Sequence, residues 1–238
     1  MPLTRRLLTL AARATAALCL AGGAVPPAVA QTPPTAAEAA RYGGLLGAAH
    51  RGDLVRLAAL LQGGAPLDER DSHGRSAVHL AAFARQREAL RRLAAAGADL
   101  GALEHDRYDA VTIAAVADDE ETLRLLLQLG ASPQRVTSRY DGTALIAAAH
   151  LGHDGVVRQL VAAGAPLDHV NNLRWTALIE SIVLGDGGPR HLATLRALLA
   201  AGANPNLADG HGRTPLALAR GRGYAAMAAA LEQAGARP

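Results

Sequence analysis

Six glycine-alanine pairs fall at nearly equal intervals along the chain: Gly64-Ala65, Gly97-Ala98, Gly130-Ala131, Gly164-Ala165, Gly202-Ala203 and Gly235-Ala236. The steps between them are 33, 33, 34, 38 and 33 residues. A near-constant period of this length marks a structural repeat, and it is shorter than that of most other helical repeats. A unit so small cannot bury both faces of its helices alone, so the units must stack into one cooperative domain. The period sets six of them, at about 38–70, 71–103, 104–137, 138–170, 171–208 and 209–238.

Each unit repeats the same physical parts. Ser76, Thr143, Thr176 and Thr214 stand where a hydroxyl can cap a first helix. The paired alanines Ala48-Ala49, Ala81-Ala82, Ala114-Ala115 and Ala148-Ala149 leave room for a neighbouring helix to approach. A second helix follows with a leucine stripe at three-to-four spacing, as in Leu123, Leu126 and Leu127 or Leu195, Leu198 and Leu199. Each such leucine contributes roughly 1.5–3 kcal/mol on burial. The closing glycine is expected to adopt the left-handed conformation that ends a helix. Ala, Leu and Val dominate the apolar half of the composition, with 1 Phe and 1 Trp in 238 residues, which fits close helix packing and an all-α class.

Residues 141–168 carry the pattern most completely. Thr143-Ala144-Leu145, Ala148-Ala149, Gly152-His153, Val156-Val157 and Gly164-Ala165-Pro166-Leu167-Asp168 follow one another in register. This stretch closely resembles an ankyrin repeat, with Thr-Ala-Leu where that family has Thr-Pro-Leu. The resemblance implies an all-α solenoid of stacked helix pairs with protruding β-turn or hairpin fingers, and a non-catalytic module that binds another protein. In such stacks the residues before the Thr-Pro-Leu position form the fingers and the first helices line a concave groove. Carried over unit by unit, the partner-binding candidates are His73 and Arg75, Arg107 and Tyr108, Arg139 and Tyr140, Arg174 and Trp175, and His211 and Arg213. His50, Phe83, Val116, His150 and Val183 add the groove wall. Arg and aromatic side chains are the usual anchors of protein interfaces, although turn positions also tolerate almost any polar residue.

The first 30 residues read as a secretory leader. Arg5-Arg6 precede an apolar run, and Ala28-Val29-Ala30 is a small-x-small cleavage site before Gln31. Thr4-Arg5-Arg6-Leu7-Leu8 also resembles a twin-arginine export signal. A membrane anchor is the rival reading, but the run between Arg13 and Pro26 is too short to span a bilayer. A periplasmic or secreted address follows. Residues 31–37 form a linker, and Thr35 three residues before Glu38 has the spacing of a capping box. Cleavage removes Arg5, Arg6 and Arg13 from the 24 basic residues, leaving 21 against 21 acids. That neutrality argues against a global electrostatic attraction to nucleic acid or an anionic membrane, and no nucleic-acid partner and no stable membrane insertion after cleavage are expected. Cleavage also removes Cys19, the only cysteine, and with it any thiolate chemistry.

Several departures from the repeat are candidate sites. After Gly185 the fifth unit inserts Asp186-Gly187-Gly188-Pro189-Arg190-His191 before a helix expected near Leu192. A glycine-rich loop feeding a helix start can hold an anion, so Asp186, Gly187, Gly188 and Arg190 form an alternative ligand site; a longer connection with Pro189 at the first helical position is the plainer reading. The run Asp118-Asp119-Glu120-Glu121 lacks calcium-loop spacing, and the register pairs Asp118 with Arg85 and Glu120 with Arg87. Glu180 interrupts an apolar stretch, either as a groove contact or as the partner of a neighbouring Arg. The nine histidines show no convergent set of zinc ligands, and no serine lies in a Gly-x-Ser-x-Gly context. No cofactor, metal or catalytic group is expected.

Overall fold

A computed structural model describes residues 31–237; the leader expected at 1–30 lies outside the described residues. A short helix α1 (Ala36–Arg41) comes first. Six helix pairs follow: α2 (Gly44–Arg51) with α3 (Leu54–Gln62), α4 (Ala77–Phe83) with α5 (Arg87–Ala95), and α6 (Ala110–Val116) with α7 (Glu120–Gln128). After the strands β1 (Val136–Thr137) and β2 (Gly142–Thr143) come α8 (Ala144–Leu151) with α9 (Asp154–Ala162), α10 (Ala177–Val183) with α11 (Pro189–Ala200), and α12 (Pro215–Gly221) with α13 (Ala225–Gln233). The first helices α2, α4, α6, α8, α10 and α12 pack successively into one layer, and the second helices into another. The expected solenoid is therefore observed.

Local chemistry explains the regularity. The hydroxyls of Thr143, Thr176 and Thr214 accept the N–H groups of Ile146, Ile179 and Ala217 at 3.3, 3.2 and 3.2 Å, ending the first turn as a cap must. Unit three uses Asp109 instead, which accepts from the backbone and the hydroxyl of Thr112 at 2.8 and 2.6 Å. Burial pushes the Asp109 carboxyl up, against these hydrogen bonds. The six closing glycines are all left-handed, with φ from 75° at Gly64 to 95° at Gly202. The paired alanines of units one to four and the inward leucines of every unit lie in one continuous core.

Both ends depart from the interior. At the start, Thr35 and Glu38 form the expected capping box: the Thr35 N–H donates to Glu38 at 2.7 Å, and the Glu38 N–H donates back to the hydroxyl at 3.2 Å. Those bonds hold the Glu38 carboxyl down at about 2. At the far end, Arg220 stands where interior units bury Ala82, Ala115, Ala149 and Ile182. Glu232 stands where they carry Leu127, Val161 and Leu199, and Arg220 and Glu232 pair at 2.7 Å. A face that would otherwise demand a further unit is thus made polar.

Two expectations are corrected. The helix after the insertion begins at Pro189 and not near Leu192, with Gly188 as its N-cap, so the proline occupies the position where its missing N–H costs nothing. The acidic run is offset by one residue. Arg85 and Arg87 meet Asp119, at 3.5 and 2.8 Å, and Arg87 also meets Glu121 at 2.9 Å. Asp118 and Glu120 turn to the following units, toward Arg190 and Gln159 at 2.8 and 3.0 Å. The left-handed backbone at Asp118 (φ 52°) and the N-cap geometry of Asp119 send alternate side chains to opposite neighbours.

Candidate functional site

The fingers share one closing device. In unit two Asp71 donates its N–H to the carbonyl of Arg75, while its carboxylate accepts from the N–H groups of His73 and Arg75 at 2.8 and 2.9 Å. Glu104, Asn171 and Asp209 do the same for Asp106 and Tyr108, for Leu173 and Trp175, and for His211 and Arg213. The fourth residue of each turn is left-handed: Gly74, Arg107, Asp141, Arg174 and Gly212, with φ of 75°, 65°, 52°, 64° and 76°.

Unit four differs. Its finger is a hairpin in which Val136 pairs with Thr143 and Thr137 with Gly142. One more residue separates Gly130 from Thr143 than Gly164 from Thr176, which accounts for the 34-residue step. Counted back from the helix cap, Arg139 and Tyr140 sit two positions earlier than Arg107-Tyr108 and Arg174-Trp175, whose counterparts in this unit are Asp141 and Gly142. The one-to-one carry-over at this unit is corrected accordingly.

Backbone bonds lace the fingers into a row. His105 donates to the carbonyl of His73 at 3.0 Å, Ser138 to that of Arg107 at 2.8 Å, and Asn172 to that of Tyr140 at 2.9 Å. Ion pairs cross between the third and fourth fingers, Arg107 to Asp141 and Arg139 to Asp106, both at 2.8 Å. His79 ties the row to the helices. Its Nδ1 accepts from the N–H of Ser76, and its Nε2 donates to the carbonyl of Tyr108, each at 3.1 Å. Burial drives its pKa down to about 4.

The candidate residues separate into two groups. His73, Arg107, Arg139, Arg174, His211 and Arg213 are exposed, and Tyr108, Tyr140 and Trp175 are half-buried, with Tyr108 and Trp175 packed against the core. Arg213 is held by its own Asp209 at 2.8 Å. Arg75 and Glu180 are buried, contrary to expectation. Arg75 is only 2% exposed because α1 covers the finger of unit two: its guanidinium meets Asp71 at 2.6 Å, Glu38 at 3.0 Å and the Tyr42 hydroxyl at 2.9 Å. Burial raises the Asp71 carboxyl, but the hydrogen bonds from Tyr42 and Arg75 overcome this and hold it below its ordinary value. Glu180 is 5% exposed and meets no arginine among the described residues. It accepts from the side-chain amide of Asn171 at 2.8 Å, with His150 at 3.4 Å, and so supports the base of the fifth finger. Asn171 was absent from the sequence candidates. The signal is an Asn where units two, three and six carry Asp71, Glu104 and Asp209, because its amide group needs an acceptor.

Of the residues expected on the groove wall, His50, Phe83, Val116 and His150 are half-buried and Val183 is buried. Leu151 and Leu184, at equivalent places in adjacent units, remain 39% and 40% exposed. The 186–191 loop does not support the anion alternative. Asp186 already takes the N–H of Gly188 and the His191 ring at 2.8 Å each, so a carboxylate occupies the helix start. Arg190 is shared between Asp118 at 2.8 Å and Asp154 at 3.5 Å. Gly187 lies against the Tyr224 ring, whose hydroxyl donates to the carbonyl of Gly185 at 2.9 Å. The insertion thus joins unit five to unit six. Among the described residues no group of three or more His, Cys, Asp or Glu could hold a metal, and no helix is long and apolar enough to cross a membrane.

Comparison with known proteins agrees with this geometry. A family model of ankyrin repeats matches three times, over residues 45–137, 111–209 and 145–238. The ankyrin repeat protein YahD of Escherichia coli is 36% identical over 190 residues, covering 79% of this chain and 94% of that protein. The crystal structure of an ankyrin repeat domain from Acinetobacter baumannii superimposes with a TM-score of 0.77 at 42% identity, over 81% of this chain and 98% of that one. A chain in the structure of a predatory endopeptidase from Bdellovibrio bacteriovorus in complex with an immunity protein shares the fold, with a TM-score of 0.67 at 22% identity, over 81% and 98% of the two chains. Ankyrin repeats are generally modules for binding other proteins, and in repeat period, finger construction and relatives alike this chain belongs to the ankyrin repeat family.

Proposed function

We propose that this chain is an exported, non-catalytic module that binds a protein partner in the periplasm or outside the cell, as a scaffold, inhibitor or protective accessory. The observation that carries the reading is the finger row. Hydrogen bonds between the fingers of units two to five fix their backbone before any partner arrives, so little ordering cost remains there on association. Exposed Arg and His side chains and half-buried aromatics project from that fixed frame, the residue types that most often anchor interfaces. The exposed Leu151 and Leu184 extend the surface onto the concave side. The Bdellovibrio complex is a precedent for this fold in an assembly with a protein, and no more than the fold is shared. The export half of the reading rests on the sequence of residues 1–30 alone.

The test begins with the protein recovered from the periplasm or the medium, whose mature chain is expected to start at Gln31 by mass spectrometry. Its crosslinked partner is identified and titrated against the variant Arg139→Ala, Tyr140→Ala, His211→Ala. A loss of at least about ten-fold in affinity, with an unchanged circular dichroism spectrum, is expected from removing three rim and anchor contacts. Unaltered affinity would place the contact elsewhere and overturn the assignment of this edge. A chain that retains Met1 and stays in the cytoplasm would overturn the export reading.

A further inference from the structure

We propose that the fingers of units five and six form a carboxylate-binding anchor, in which Arg174 takes an Asp or Glu side chain from an acidic segment of the partner protein. The inference rests on the binding-module reading above and names the chemistry of its partner.

Arg174 holds a left-handed backbone, φ 64°, at a finger position where units two and six carry Gly74 and Gly212. That conformation costs an L-residue with a Cβ, and it persists only where the surrounding structure holds it. Arg107 occupies the same position in unit three, where its guanidinium is already paired with Asp141, its counterpart one unit further on. The counterpart of Arg174 one unit further on is Gly212, which has no carboxylate to offer. The Arg174 side chain is exposed, and its guanidinium makes no ion pair or hydrogen bond among the described residues.

Its direction is constrained as well. A Cβ built on Gly210 would lie 3.2 Å from the Arg174 Cβ and 3.1 Å from its Cγ, so the stem lies against the backbone of the next finger. A stem braced in this way leaves less rotamer freedom to lose on binding.

Charge separates this end of the row from its middle. In fingers three and four each arginine meets an acid, Arg107 with Asp141 and Arg139 with Asp106. In fingers five and six Arg174 and His211 are exposed, and the one acid, Asp209, is buried and used by Arg213. The surplus is positive, and a guanidinium's planar fork matches a carboxylate with two parallel hydrogen bonds. A polypeptide occupant can also cover the exposed Leu151 and Leu184 at the ends of α8 and α10, which a bare inorganic anion does not.

The backbone strain supplies an unusually clean test. Arg174→Gly removes the guanidinium and places at this turn the residue its φ favours, so the melting temperature is expected to stay level or rise. The probe is a fluorescein-labelled peptide of Glu and Leu, with a Gln-for-Glu peptide beside it, followed by fluorescence anisotropy at low and at physiological salt. The wild-type protein is expected to bind the Glu peptide at least about ten-fold more tightly than the Arg174→Gly protein does, and than it binds the Gln peptide. Arg124→Ala, on the outer face of α7, is expected to leave binding unchanged. Equal binding by wild type and Arg174→Gly, or no binding of the Glu peptide at low salt, would overturn the proposal. Displacement by inorganic phosphate with the potency of unlabelled peptide would do so too. If Arg174→Gly leaves the natural partner's affinity intact while the three-residue finger variant lowers it, the binding-module reading stands and this anchor alone fails.

Discussion

His79 has both ring nitrogens committed at the seam between units two and three, and burial holds its pKa at about 4 against an ordinary 6.5. Because the folded value is the lower one, the unfolded chain takes the proton first. Stability is therefore complete above about pH 6.5 and declines as the pH falls toward 4, by about 3 kcal/mol at most. His50, also depressed, chiefly by desolvation, adds to the same slope, so the comparison must be with a variant. Denaturant unfolding across this window is expected to show a shallower decline for His79→Gln than for wild type; identical slopes would contradict the buried neutral imidazole. Arg75 and Glu180 mark the limit of sequence reasoning at this scale. Their places in the repeat were readable, but Arg75 is covered by a helix outside the repeat and Glu180 is claimed by Asn171, nine residues earlier in the chain. Such pairings depend on how separate elements meet, and no local pattern encodes them.

Among elements, helices and their ends were legible because capping hydroxyls, closing glycines and leucine spacing act within a few residues. What shifted was register. In the hairpin finger of unit four Arg139 and Tyr140 lie two positions before the places assigned by analogy, and the left-handed turn at Asp118 redirected the acidic run by one. The insertion in unit five was visible, but its purpose was not: it carries no ligand chemistry of its own and instead seats Gly187 against Tyr224 of the last unit. A Cβ at Gly187 would lie 2.5 Å from the ring, on a backbone with φ 72°. Gly187→Ala is accordingly expected to cost about 1–3 kcal/mol, through overpacking and backbone strain together. Thermal melts check this, and an unchanged transition would mean that the loop is not docked.

Over the whole molecule, the stack distributes work unevenly. Interior units bury alanine and leucine against both neighbours, and unit six ends on the Arg220–Glu232 pair. The finger row carries exposed arginine and histidine side chains, and its charges balance in the middle and turn positive toward units five and six. The fold and the position of this edge could be read from a 33-residue period, whereas the partner could not, because stacking selects core residues and leaves finger side chains free to vary. The central claim is that this edge meets the partner. A photo-crosslinking amino acid placed at Tyr140 or His211, and at Arg124 on the outer helices as the comparison, tests it in intact cells. Adducts to one protein from the two finger positions and none from Arg124 are predicted. Adducts from Arg124 alone would contradict it.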